Sequence, residues 1–159
     1  MNTPTLSIYH PNARNTGAAI RIALVKPRPI ERSDDFYDGY LVLTIAPQAT
    51  AGEFPAFDWD NGINVPLYFT EMSMMLAVFR GVHESIQDDK GVWISRPNGE
   101  RIILRLRHII EPLSGYSLEV FQKKGNDVSC SAHILLSDIE AFGLCSAIES
   151  SIGRVAFGD

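Results

Sequence analysis

The chain has 159 residues, 45% of them hydrophobic and 21% charged, which fits one globular domain, 1–159, with a full core. No apolar run approaches the roughly 20 residues that span a bilayer, and MNTPTLSIYH lacks the basic start and apolar stretch of a secretory leader. A cytoplasmic protein is expected, or one whose targeting segment has been removed. The net charge of -5 gives nucleic-acid binding no general support, so any such role rests on where the cations gather.

In chain order, Leu6–Tyr9 reads as a short strand, followed by a loop, HPNARNTG. Ala18–Val25 is a second strand, closed by Lys26-Pro27-Arg28-Pro29, which cannot continue a central ladder. A polar, acidic loop over Ile30–Asp38 leads to a third strand, Gly39–Ala46, and a Pro, Ala and Gly-rich loop to Pro55. The fourth strand, Ile63–Phe69, contains Pro66 and belongs near an edge or bulge. A helix from Glu71 to Arg80 follows, with Thr70 as N-cap and Gly81 past its end. Its Met72, Met75, Leu76 and Phe79 share one face.

The order then repeats. Val82–Gln87 reads as the start of a strand, interrupted at Asp88-Asp89-Lys90-Gly91, and Val92–Arg96 is strand. Asn98-Gly99 marks a hairpin turn before a long strand, Arg101–Ile110. Tyr116–Lys123 and Val128–Leu135 complete the run, with turns at Ser114-Gly115 and Gly125-Asn126. Ser137 and Glu140 form a capping box for a helix from Asp138 to about Gly153. Strand runs each closed by a helix argue for an α+β fold with antiparallel sheets.

Side chains alternate across a strand, so each strand has a core face and an open face. Ile102, Leu104 and Leu106 go in, leaving Arg101, Ile103, Arg105 and Arg107 out. Val128, Cys130, Ala132 and Ile134 go in, leaving Ser129, Ser131 and His133 out. Ile20, Ile22 and Leu24 go in, leaving Ala19, Arg21 and Ala23 out; Leu6 and Ile8 go in and Tyr9 out. If Leu118 and Val120 are core, Phe121 and Lys123 are open. Trp93 falls on the open side, unless a bulge near Asp88–Gly91 turns it inward beside Val92. The open surface then carries Tyr9, Arg21, Trp93, Arg105, Arg107, Phe121, Lys123, Ser129 and Ser131. Rings interleaved with guanidinium groups suit an unpaired strand, whose bases stack and whose phosphates need cations. The same alternation also describes the solvated face of any amphipathic strand.

One stretch adds a resemblance. Phe57-Asp58-Trp59, a short strand, Thr70-Glu71 and an apolar helix follow one another as the Y-D-W turn, strand, T-E pair and helix do in the Whirly family of single-stranded DNA-binding proteins. Ser7-Ile8-Tyr9 with Gly17-Ala18-Ala19-Ile20 resembles that family's S-I-Y and K-G-K-A-A-L, here separated by HPNARNT. Lys26–Pro29, Gly39–Pro47 and Glu111-Pro112-Leu113 resemble its E-P-R-P, G-M-V-L-L-Q-F-A-P and E-P-L. The resemblance implies two packed four-stranded antiparallel sheets, each followed by a helix. It also implies a homotetramer joined through the helices, with single-stranded DNA held across sheet edges between neighbouring subunits; no catalytic residue, cofactor or membrane contact is expected from the residues themselves. Thr16 and Ala18 stand where the family motif has its two lysines, so assembly beyond the tetramer does not carry over.

Other readings are few. His10, His83, His108 and His133 are scattered outside any hydrolase or metalloprotease motif and read as structural, His108 on a core face. Asp58 and Asp60 suit a turn better than a metal. Met72, Met74 and Met75 read as helix core, and Cys130 and Cys145 as small buried hydrophobes rather than a disulfide. Two rivals use the same fold: an RNA-binding protein of the guide-RNA type, and an assembly protein without nucleic-acid binding.

Overall fold

Short turns between apolar alternating segments return each strand of the second sheet beside its predecessor, longer connections build the first, and both sheets are antiparallel throughout. The computed structural model describes residues 4–158. Residues 1–3, the first of the stretch read for a leader, lie outside them.

The first half contains β1 (Thr5–His10), β2 (Ala18–Val25), β3 (Arg28–Pro29), β4 (Phe36–Tyr37), β5 (Tyr40–Thr50), β6 (Ala56–Phe57), β7 (Ile63–Leu67) and α1 (Phe69–Phe79). The second contains β8 (Val92–Ser95), β9 (Glu100–Ile109), β10 (Gly115–Lys124), β11 (Asp127–Ser137) and α2 (Asp138–Phe157). Sheet one runs β1-β2-β5, with β6 and β7 both paired to β5, which makes it five-stranded rather than four-stranded. The addition is the two-residue β6, which forms because β5 runs on to Thr50 and reaches back to Ala56 and Phe57. Sheet two runs β11-β10-β9-β8. The acidic loop over 30–38 closes a small hairpin, β3 on β4.

Both sheets and both helices contribute to one buried cluster, including Ile20, Leu43, Met72, Met75, Leu104, Leu118, Leu144 and Ile148. At ~25 cal/mol per Å² of apolar surface, each such side chain contributes about 1.5–3 kcal/mol.

Four local expectations are corrected. Helix α1 begins at Phe69 with Tyr68 as N-cap, because Glu71 accepts the Tyr68 backbone N–H at 3.1 Å; Thr70 sits inside the first turn. Residues 82–87 form no strand. Their path along β9 makes one bridge, Ser85 to Arg107, and then turns through Gln87, Asp88 and Asp89, all at positive φ. Helix α2 runs past Gly153 to Phe157 and ends at Gly158, whose φ of 84° closes it. Leu6 lies on the core side of β1 but is 43% exposed, because β1 is an edge strand.

The capping box of α2 forms as expected: Glu140 N–H donates to Ser137 Oγ and Ser137 N–H to Glu140 Oε1, at 3.1 and 3.0 Å. His10 adds a contact from β1, its Nε2 lying 2.8 Å from Glu140 Oε2. The edge of sheet one is thereby fastened to the helix that follows sheet two. Among the described residues both cysteines are free thiols, Cys145 buried and Cys130 half-buried. His108 packs on Tyr116 at 4.8 Å between ring centroids, half-buried.

Candidate nucleic-acid interface

Register sets the outer face of sheet two as cross-strand rows. Trp93 pairs with Ile103, Ile103 with Phe121, and Phe121 with Ser131. On one side lies the row Ser95, Arg101, Lys123 and Val128; on the other lies Arg105, Glu119 and His133. Trp93 is 51% exposed, so the turn at 87–91 does not rotate it into the core. A depression of about 320 Å³ opens here, lined by Trp93, Arg105, Phe121, Lys123 and Val128 over a buried Ile103.

The cations pack over the rings. Lys123 Nζ lies 5.3 Å and Arg101 Cζ 5.9 Å from the Trp93 centroid, and Arg105 Cζ lies 5.8 Å from that of Phe121. Such contacts hold a flexible charge above a stacking surface. Two of the expected cations are already engaged. Arg105 Nε donates to Asp89 O at 3.0 Å, and its Nη1 lies 3.8 Å from Glu119 Oε2. Arg107 Nη1 lies 3.6 Å from Asp89 Oδ2.

Val128 departs from the expected alternation. The pairing steps from Gln122 opposite Cys130 to Lys123 opposite Val128, a bulge that leaves Ser129 as the extra residue. Beyond it the faces exchange, and Val128 joins the open surface at 52% exposure. Ser129 leaves the row and donates its hydroxyl to Gln122 O at 3.1 Å.

Phe121 also lines a second hollow, about 300 Å³, where sheet two meets sheet one at Thr16, Gly17, Pro47, Ser131 and His133. Gly17 is required there: a Cβ would stand 2.1 Å from His10 O and 2.6 Å from Gln48 Oε1. The loop before it is held by one buried side chain. Gln48 Oε1 accepts from Asn12 N and Gly17 N at 2.9 and 3.1 Å, and its Nε2 donates to Asn12 O and Thr50 O at 3.0 and 3.1 Å. His133 Nε2 lies 2.9 Å from the Ser117 hydroxyl.

Tyr9 and Arg21 do not join Trp93. They belong to sheet one, where Arg21 Cζ lies 3.9 Å from the Trp59 centroid, and Tyr9 lies 5.6 Å from Phe57 and 6.4 Å from Trp59. Ala19 and Ala46, on the same outer row as Tyr9, are fully buried at this cluster. Alternation assigns each residue to a face, but it does not say which sheet that face belongs to. Trp59, Phe57, Val128 and Lys90, which also lines the Trp93 depression, stand outside the expected set, and Arg101 was expected on the open face but not in the set. The aromatic-acid-Trp motif was the available signal for the first two. In that turn Asp58 holds Asn61, whose Nδ2 donates to Oδ2 at 2.8 Å. Among the described residues no group of three His, Cys, Asp or Glu could hold a metal, and no helix is long and apolar enough to cross a membrane.

Two antiparallel sheets, each followed by a helix, with rings and cations on their outer faces, define an α+β protein of the Whirly fold. The chain superposes on WHY3 from Arabidopsis thaliana with a TM-score of 0.76 and 21% identity, covering 99% of this chain and 90% of that one. It matches the plant transcriptional regulator PBF-2 with a TM-score of 0.73 and 19% identity, over 98% and 84% of the two chains. It matches a guide-RNA-binding protein complex bound to its RNA with a TM-score of 0.63 and 14% identity, over 99% and 96%. Of these neighbours, PBF-2 is a transcriptional regulator and the last is a guide-RNA-binding complex. No family model matches the sequence, and no curated protein matches it.

Proposed function

We propose that the protein binds single-stranded nucleic acid without regard to sequence, with DNA as its ligand in protection, repair, replication or transcription. The supporting observation is the row Trp93–Ile103–Phe121–Ser131, with Lys123, Arg101 and Arg105 around its rings. An unpaired base gains about 1–3 kcal/mol by stacking on such a ring, whereas a duplex hides its base faces. Phe121 borders both hollows, so a strand lying on Trp93 has a route toward Gly17. Tyr9 and Arg21, with Trp59, offer a separate contact on sheet one, and Arg107 supplies a cation at the margin.

The RNA reading draws support from the guide-RNA-binding neighbour. Contacts to the 2′-hydroxyl would decide it. Equal-length single-stranded DNA, single-stranded RNA and duplex, titrated across a salt series, test both readings. Duplex binding as tight as single-strand binding refutes the proposal.

A homotetramer is part of the proposal. Met72, Met75, Leu144 and Ile148 are spent on the subunit's own core, but Ile139 and Phe142 on α2 stand 84% and 75% exposed. Apolar side chains this open on one helix suit burial against further copies. Light scattering that returns a monomer at micromolar concentration removes this element, and a tetramer that binds no nucleic acid points to the assembly reading.

A further inference from the structure

The outer face of sheet one continues beyond the Arg21–Trp59 pair. From Arg21 to Val25 along β2 is about 13 Å, at roughly 3.3 Å per residue. A cavity of about 460 Å³ opens at that end, walled by Lys26, Arg28, Tyr37, Asp38, Tyr40 and Tyr68. The volume lies within the ordinary range of small-ligand sites. Its walls come from the end of β2, the β3–β4 hairpin, the start of β5 and the N-cap of α1. The frame is fixed from below. Gly39 is buried, and a Cβ there would stand 2.6 Å from Pro27 Cδ and 2.8 Å from Val155 O. Only glycine lets the chain enter β5 pressed against Pro27 and α2.

The chemistry of the walls is mixed in a specific way. The Tyr40 and Tyr68 rings lie 5.2 Å apart at 41°, and Arg28 Cζ lies 5.0 Å from the Tyr37 centroid. Among the described residues Lys26 and Arg28 form no ion pair, unlike Arg105 and Arg107. Burial, followed by the neighbouring Tyr40, Asp38 and Glu71, pushes the Tyr68 phenol above its ordinary value, so it remains a donor at neutral pH. A bare anion would use the two cations and waste the rings. An apolar ligand would use the rings and leave the cations unmatched, and a cationic ligand would be repelled by them. A nucleotide presents an anion, a flat ring and hydrogen-bond donors together.

We propose that this cavity binds one nucleotide of a nucleic-acid strand, its phosphate on Lys26 and Arg28 and its base against the tyrosine rings. Asp38 accepts a hydrogen bond from a base amino group or a sugar hydroxyl. The choice of ligand rests on the single-strand reading above, but the site uses no residue of sheet two.

Adenosine and thymidine 5′-monophosphates and inorganic phosphate, titrated separately into the full chain, test the site by the NMR signals of its tyrosine rings. Assignment uses Tyr→Phe variants. Both nucleotides are expected to move the Tyr37, Tyr40 and Tyr68 signals. Lys26→Ala combined with Arg28→Ala should weaken that response at least about tenfold, since each charge-assisted contact to phosphate is among the strong ones. Arg14→Ala, which removes one exposed loop cation, should leave it unchanged. Both wall cations are exposed, so the double variant should fold, and its melting curve checks this. The proposal is overturned by no tyrosine response, by a response that inorganic phosphate reproduces, or by one that survives the double variant. Binding of oligo(dT) without a mononucleotide response removes the cavity and keeps the sheet-two site. A mononucleotide response without oligo(dT) binding overturns the cavity as a strand contact and leaves it a site for a free nucleotide only.

Discussion

Arg105 and Glu119 face each other across β9 and β10, with Arg105 Nη1 3.8 Å from Glu119 Oε2. The carboxylate stands beside the ring of Phe121 and competes with any phosphate that approaches the guanidinium. Glu119→Gln should therefore tighten single-strand binding about two- to fivefold at low salt, the scale of one partly exposed ion pair. The gain should shrink as salt screens it. Fluorescence anisotropy on both proteins checks this, and a weaker variant would mean that Glu119 itself contacts the strand.

The engaged and unengaged cations should differ in their salt signatures. A single-strand slope falls by about 0.7 for each phosphate the protein ceases to neutralise. Replacing Lys123 and Arg101 with alanine should lower the slope by about 1.4. Replacing Arg105 and Arg107 should lower it less, because Glu119 and Asp89 already hold them. Both pairs should weaken all base compositions alike. Weakening confined to one composition would show that these side chains read bases.

Oligo(dT) should quench tryptophan emission chiefly through Trp93. The face of Trp59 already carries Arg21 at 3.9 Å, leaving less of it for a base. Trp93→Ala should cost about 1–3 kcal/mol for single strands and leave weak duplex binding nearly unchanged. Its melting temperature should move little, since Trp93 is 51% exposed. A destabilised variant with unchanged affinity would remove Trp93 from the site.

Glu140 ties acid stability to the α2 cap. Burial pushes its carboxyl up, but the Ser137 backbone N–H, His10 and the Ser137 hydroxyl together outweigh that and hold it below the ordinary value. A depressed carboxyl contributes stability that is full above the unfolded-state value and is lost as pH falls through the folded one. Glu140→Gln keeps an amide oxygen for the Ser137 N–H but removes the charge, so it should lower stability at neutral pH by about 0.3–1 kcal/mol, the scale of a carboxylate at a helix N-terminus. The gap from the parent should close as pH drops below the carboxylate range. Thermal melts at pH 7, 5 and 3 measure it; a constant gap would mean that the charge is not involved.

What the sequence disclosed and what it hid divide by range. Period-two alternation placed β2 and β9 within a residue, and the Ser137–Glu140 box named the start of α2, because both signals act over a few neighbouring residues. Thr70-Glu71 gave the right helix and the wrong cap. A glutamate at the third helical position serves whichever residue precedes the helix, and here that is Tyr68. Val128 was misassigned because its face depends on a slip opposite Lys123, a property of the pair and not of either strand. The division of Tyr9 and Arg21 from Trp93 likewise depends on which sheet each strand joins. Asp89 reaches Arg107 only because the turn at 87–89 adopts left-handed backbone; the Asp-Asp-Lys-Gly run marks a break there but not which partner the break brings within reach.

The Gln48 amide has a consequence for engineering. It grips the loop at its two roots, Asn12 and Gly17, and leaves Ala13 and Arg14 exposed without a share in the grip. Loop length is thereby uncoupled from strand register: added residues between Ala13 and Arg14 open the Asn12–Asn15 turn, but the Gln48 grip at the roots keeps β1 and β2 in step. Exposed tips of this kind tolerate insertion. The position would accept a short graft, such as a dye-bearing cysteine segment, close to the Gly17 hollow without disturbing the sheet that frames it.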